Sequence, residues 1–141
     1  MNNFLWCKCG EKWQPIAAIV LRVAVGAIFV AHGLLKVADV SLFAGFLESL
    51  NVPMAGALAM FVAWFEVLGG GALILGLFTH WVSKIFAFIM LVALFLVHWQ
   101  NGFFITNNGY EFVLLLFVAS VSPMITGPGK WSADDMLFKN K

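Results

Sequence analysis

Four stretches of this chain are each apolar enough to cross a lipid bilayer, and that decides what the rest of the sequence can do. A spanning helix needs about 20 mostly apolar residues. The stretches run from about Pro15 to Val37, Pro53 to Phe78, Trp81 to Trp99 and Tyr110 to Thr126. They fill most of the 141 residues. Hydrophobic residues make up 62% and charged residues 11%, and a soluble domain this small cannot hide that much apolar surface. This excludes a cytosolic globular enzyme and a disordered chain. A net charge of +1 offers no pull on a polyanion, so nucleic acid is excluded as a partner. The surrounding partner is the lipid bilayer. The predicted fold class is all-α, an integral membrane four-helix bundle. Residues 1–14 form an N-terminal segment, 15–126 the bundle and 127–141 a C-terminal tail.

The first stretch is longer than the usual apolar core of a signal peptide and contains Arg22, so it reads as a span. Pro15 and Pro53 suit first-turn positions, where a missing N–H costs nothing, and Pro123 suits the end of the fourth helix. Four spans put both termini on one side. That side carries Lys8, Lys12, Lys84, Lys130, Lys139 and Lys141, and the other carries Lys36. Positive charge collects in the cytoplasm, so both termini are expected there. The segment from about Ala38 to Val52 mixes Phe43, Phe46, Leu47 and Leu50 with polar residues, the pattern of a short amphipathic helix on the opposite surface.

Charges inside spans are costly and face the bundle interior. Counted from the cytoplasmic edge, Arg22 lies about 10 Å deep and Glu66 about 15 Å deep. Gly26 and Gly33 share the Arg22 stripe of the first helix, and Gly69 and Gly70 sit beside Glu66. Small residues allow close approach, so an Arg22–Glu66 pair is expected in the core. Such a pair can be a structural lock, or the polar floor of a ligand cavity. Trp64, next to Glu66, reads as lining the bundle, whereas Trp6, Trp13, Trp81 and Trp131 read as interfacial.

A second polar group collects at the non-cytoplasmic ends of the helices: His32 and Lys36, His98, and Glu111, with Gln100, Asn101, Asn107 and Asn108 around them. Each has an interfacial explanation, since Lys36 can snorkel and Glu111 suits a helix N-terminus. Their convergence at one depth is the argument for a site. Histidine exchanges protons near neutral pH and a carboxylate can orient it. His98, Glu111 and His32 are therefore the candidate catalytic residues, and Arg22, Lys36, Glu66 and Asn101 the candidate ligand-binding residues. A metal held by His32, His98 and Glu111 lacks a compact motif such as two histidines one turn apart, and no metal is assigned. Cys7 and Cys9 form a C-x-C without nearby ligands to complete a zinc site, and read as free thiols in a reducing compartment.

From about Leu21 to Asp134 the chain resembles the DoxX family of small four-helix membrane proteins. The resemblance rests on RVAVGAIFVAHGLLKV (Arg22 to Val37), FAGFLESLNVP (Phe43 to Pro53), WFEVLGGGALILGLFTHW (Trp64 to Trp81), HWQNGFFITNNGYEF (His98 to Phe112) and GPGKWSADD (Gly127 to Asp135), in this order. It implies a multi-pass plasma-membrane protein. It also implies a quinone-linked redox role, as in the membrane part of a thiosulfate:quinone oxidoreductase, or a link to oxidative stress. Quinone is then the expected cofactor or ligand, since the sequence has no haem, flavin or iron–sulfur signature. Electrons would pass directly between substrate and quinone or through a partner subunit. The alternative is a small-solute carrier, or a non-catalytic membrane subunit that serves a partner or a second copy of itself.

Overall fold

The computed structural model describes residues 9–129 and 131–138 and is all-helical there. Six α-helices follow in order: α1 (Cys9–Ala38), α2 (Val40–Ser49), α3 (Ala55–Leu75), α4 (Thr79–Ala93), α5 (Glu111–Thr126) and α6 (Ala133–Phe138). Helix α4 continues through a π-helical turn, Leu94–His98, and a 3-10 turn, Trp99–Asn101. Among the described residues three helices are long and apolar enough to span a membrane: Ile16–Ala38, Ala55–Leu75 and Thr79–Asn101. The 16-residue α5 is shorter, about 24 Å, and packs along α4.

The expected spans correspond to α1, α3, α4 with its added turns, and α5, and the amphipathic segment is α2. Two proline expectations need correction. Helix α1 starts at Cys9, so Pro15 lies in its second turn, and Pro53 lies in the turn before α3. Trp6, Cys7, Lys8, Lys130, Lys139 and Lys141 lie outside the described residues. Trp64 is 48% exposed and so faces outward rather than into the bundle.

The strongest packing joins α1 to α3. A Cβ on Gly26 would sit 2.6 Å from the Gly70 carbonyl oxygen, and one on Gly70 would sit 2.7 Å from that of Gly26. The two backbones therefore touch, and glycine at both positions is what permits it. Helix α2 lies against α3, and α4 pairs with α5. Between these groups runs a core in which Phe29 stacks on Phe86 at 3.7 Å, with Phe65 edge-on to Phe86 at 5.3 Å. The edge-on contact of Phe65 with Phe86 adds roughly 0.5–1.5 kcal/mol beyond area burial.

At one end of the bundle the C-terminal segment folds back and closes it. The Asp134 carboxylate accepts hydrogen bonds from Phe78 N at 2.8 Å and Thr79 N at 2.9 Å, which caps α4 from a distance in sequence. Asp134 N in turn donates to the Gly76 carbonyl. Gly76, at φ 72°, ends α3 in the left-handed region. Arg22 is buried here and donates to the Pro128 carbonyl.

Candidate functional site

At the other end a cavity of about 690 Å³ opens between the helices, within the usual range of about 300–1,000 Å³ for small-molecule sites. All the principal helices contribute to its wall. Phe29, Ile85 and Leu116 are among its deeper lining residues, and Phe43, Phe46 and Leu47 of α2 line its outer part. Its lining is almost wholly apolar. The polar exceptions are His32, Lys36, Glu66, His98 and Asn108.

Glu66 is held by Lys36. Both carboxylate oxygens accept from the Lys36 ammonium, and Glu66 is 1% exposed while the lysine side chain is 25% exposed. The expected Arg22–Glu66 pair is therefore wrong. Its cause is register. Gly26 lies against Gly70 and Gly33 against Glu66 and Val67, so Arg22 lies against Gly76. Gly76 is ten residues beyond Glu66, roughly 15 Å along the helix. Helical side chains lean toward the N-terminus, so Lys36 reaches back over Gly33 to the carboxylate. An ammonium has three donors, and two point at Glu66. The third is not taken by Glu66, and Phe43 covers the lysine with its ring centroid 5.3 Å away.

His98 stands at the end of the π turn. Its Nδ1 lies 2.8 Å from the Asn108 carbonyl, which can only accept, so Nδ1 carries the proton and Nε2 is an acceptor in the neutral ring. Asn108 takes a left-handed conformation, φ 59°, and its carbonyl also accepts from Asn101 Nδ2 at 3.2 Å. The π turn matters because one extra residue per turn re-aims the side chains after it, a distortion that recurs at functional sites. His32 lies on α1 beside Phe112 of α5, ring centroids 6.1 Å apart. It also borders a shallow surface groove along α1 and α2 that reaches Lys36 from outside.

The structure thus brings His32, Lys36, Glu66 and His98 to one cavity and separates three candidates from it. Glu111 Oε1 accepts from Ile105 N at 2.9 Å and pins the 3-10 turn Ile105–Asn107. Asn101 supports the Asn108 carbonyl rather than lining the wall. Arg22 serves the closed end. Sequence reasoning missed Asn108 as the histidine's anchor and Phe43 as the lysine's cover. Asp39, just beyond α1, caps α2: its carboxylate accepts from the Ser41 hydroxyl at 2.7 Å and Leu42 N at 2.9 Å, which holds it below the ordinary carboxylate range.

A family model, DoxX, matches residues 17–99. A Bacillus subtilis protein named "Putative oxidoreductase CatD" is 31% identical over 131 residues, covering 93% of this chain and 94% of its own. Two Escherichia coli proteins are similar over nearly their whole length. "Inner membrane protein YphA" is 28% identical, covering 95% of this chain and 99% of its own, and "Inner membrane protein YqjF" is 27% identical, covering 92% and 98%. No solved structure matches the chain.

Proposed function

The chain belongs to the DoxX family, and on that premise we propose that it is a quinone-linked redox component of the plasma membrane. The observation that carries the proposal is the cavity: an apolar chamber within the spans whose polar groups, Lys36 with Glu66, His32 and His98, gather toward one end. An amphipathic ring with carbonyl oxygens fits such a distribution. The name of the Bacillus relative supports oxidoreductase chemistry, and the names of the two Escherichia relatives support the inner membrane. The lysine asymmetry favours cytoplasmic termini, which puts the Lys36 end of the cavity on the other side.

A bound quinone would supply two-electron, two-proton chemistry, with a reduced sulfur compound as the class of electron donor that the resemblance implies. The protein's share is binding and proton handling. The free Lys36 N–H donates to a ring oxygen. His98, fixed by Asn108 through Nδ1, presents Nε2, which accepts a proton from a hydroxyl or returns one to a carbonyl oxygen. The Lys36–Glu66 pair keeps the ammonium aimed at that oxygen in a medium where a free charge would be costly.

Titration of the purified protein with a short-chain quinone tests this. Saturable binding that weakens roughly tenfold or more in His98→Ala, from loss of one hydrogen bond to a fixed ring, supports the reading. Absence of saturable binding in the wild-type protein overturns it.

A further inference from the structure

We infer that the ligand enters sideways from the bilayer, through a gap between α3 and α4, and carries an alkyl or isoprenoid chain that lies in this gap. The inference rests on the redox-ring reading above and extends it to the route and the chemistry of the ligand's tail.

Several residues that line the cavity are also strongly exposed: Phe61 at 54% on α3, and Phe88 at 67%, Val92 at 42% and Leu96 at 41% on α4. All lie inside the two spans Ala55–Leu75 and Thr79–Asn101, so their outer surfaces face lipid. Phe88, Val92 and Leu96 follow one another at four-residue spacing, which makes one edge of α4 at once cavity wall and lipid face. Helices α3 and α4 are consecutive and antiparallel, yet they touch far less than α1 with α3 or α4 with α5. One of their contacts is the edge-on pair of Phe65 and Phe86 near mid-span. On the outer side of that pair the cavity wall takes Leu58, Phe61 and Val62 from α3 and Phe88, Val92 and Leu96 from α4.

The polar groups complete the case. Lys36 and His98 stand near the outer ends of α1 and of the α4 span, whereas Phe88 lies ten residues before His98, about 15 Å deeper. A molecule with its ring at Lys36 and His98 therefore has its tail at the gap, at a depth where lipid chains lie. A small polar solute has no use for an apolar slot at that depth. The groove along α1 and α2 offers a competing route from the surface, so the experiment must separate the two.

The experiment has two arms, both on the full chain in nanodiscs. In the first, binding rates are measured for a decyl-substituted quinone and for the same ring without a tail, in wild type and Val92→Trp, whose indole fills the gap. The expected result is a tenfold or greater loss of association rate for the tailed quinone, with the tail-less ring within about twofold of wild type because it fits the surface groove. No loss of rate for the tailed quinone overturns the side entry, and an equal loss for the tail-less ring overturns the placing of the tail in the gap. So does competition by ringless decanol as strong as that by the tailed quinone, since the occupant would then be a lipid chain. The second arm needs no quinone. A nitroxide is attached at Ile89→Cys, a position on α4 that lines the cavity, with Cys7 and Cys9 changed to serine, and its collisions with lipid-dissolved oxygen and with a water-soluble nickel chelate are compared. Side entry predicts relaxation dominated by oxygen, and dominance by the chelate overturns it. If no quinone binds the wild type while oxygen dominates, the redox reading falls and the lateral opening stands.

Discussion

Lys36→Met removes the ammonium from which both Glu66 oxygens accept, and strands a carboxyl that is 1% exposed. A charge left unpaired in such a place costs about 3–5 kcal/mol. The carboxyl has one escape, which is to take up a proton. At pH 7 that costs an ordinary glutamate, at about 4.3 and 1.36 kcal/mol per pH unit, about 3.7 kcal/mol, and at pH 5 only about 1 kcal/mol. The loss at pH 7 is therefore bounded at about 3–4 kcal/mol. At pH 7 the loss corresponds to roughly 10–15 °C in thermal midpoint for a chain of this size. Glu66→Gln is milder, about 1–2 kcal/mol, because Lys36 is a quarter exposed and can turn toward the cavity mouth. Changing both residues to methionine should recover most of the loss, since a buried pair is often replaceable by apolar side chains. Thermal unfolding in detergent across pH 5–8 measures all of this. A Lys36→Met midpoint within about 3 °C of wild type at pH 7, or a recovery that requires Arg22→Met instead of Lys36→Met, would refute the pairing.

Gly26→Leu should separate α1 from α3, because its side chain meets the Gly70 carbonyl rather than a movable group, at a cost of roughly 1–3 kcal/mol read from the same unfolding curves. Asp134→Ala should remove the cap on α4 and cost about 1–2 kcal/mol, with faster amide exchange at Phe78 and Thr79, while ring binding at the far end stays near wild type. Reporter fusions after residue 45 and at residue 141 should read opposite sides of the membrane, with residue 141 in the cytoplasm.

The spans were legible because a run of apolar residues has one stable solvent, and the length of each run sets its crossing. The short α2 was legible from Phe43 and Leu47 among polar neighbours. The pairing of charges was not legible from depth alone. Depth counts from an assumed span edge near Pro15, whereas Arg22 sits level with Gly76 at the end of α3 and α1 runs on past it to Cys9, so Arg22 belongs to the closed end. The signal that fixes the register was present: Gly26 and Gly70 are the small residues that can bring the two backbones together, and aligning them places Lys36 one turn past Gly33, within reach of Glu66. His32, Lys36 and His98 were found by their common level. Glu111 shared that level, but a side chain in the first turn of a helix also bonds to preceding loop amides, and Ile105 N claims it. Nothing in LFLVH marks the π turn that aims His98, because that turn depends on how α4 meets its neighbours.

The redox reading puts a quinone ring between Lys36 and His98 at the polar end of the cavity. Photoaffinity labelling addresses it most directly. Native membranes containing the protein are illuminated with a quinone that bears a photoreactive group on its ring, and labelled peptides are mapped by mass spectrometry. Label is expected on the peptides carrying His32–Lys36 and His98–Asn108, abolished by excess unlabelled quinone. Label at the closed end, around Gly76 or residues 127–138, or label that excess quinone leaves unchanged, would contradict that reading.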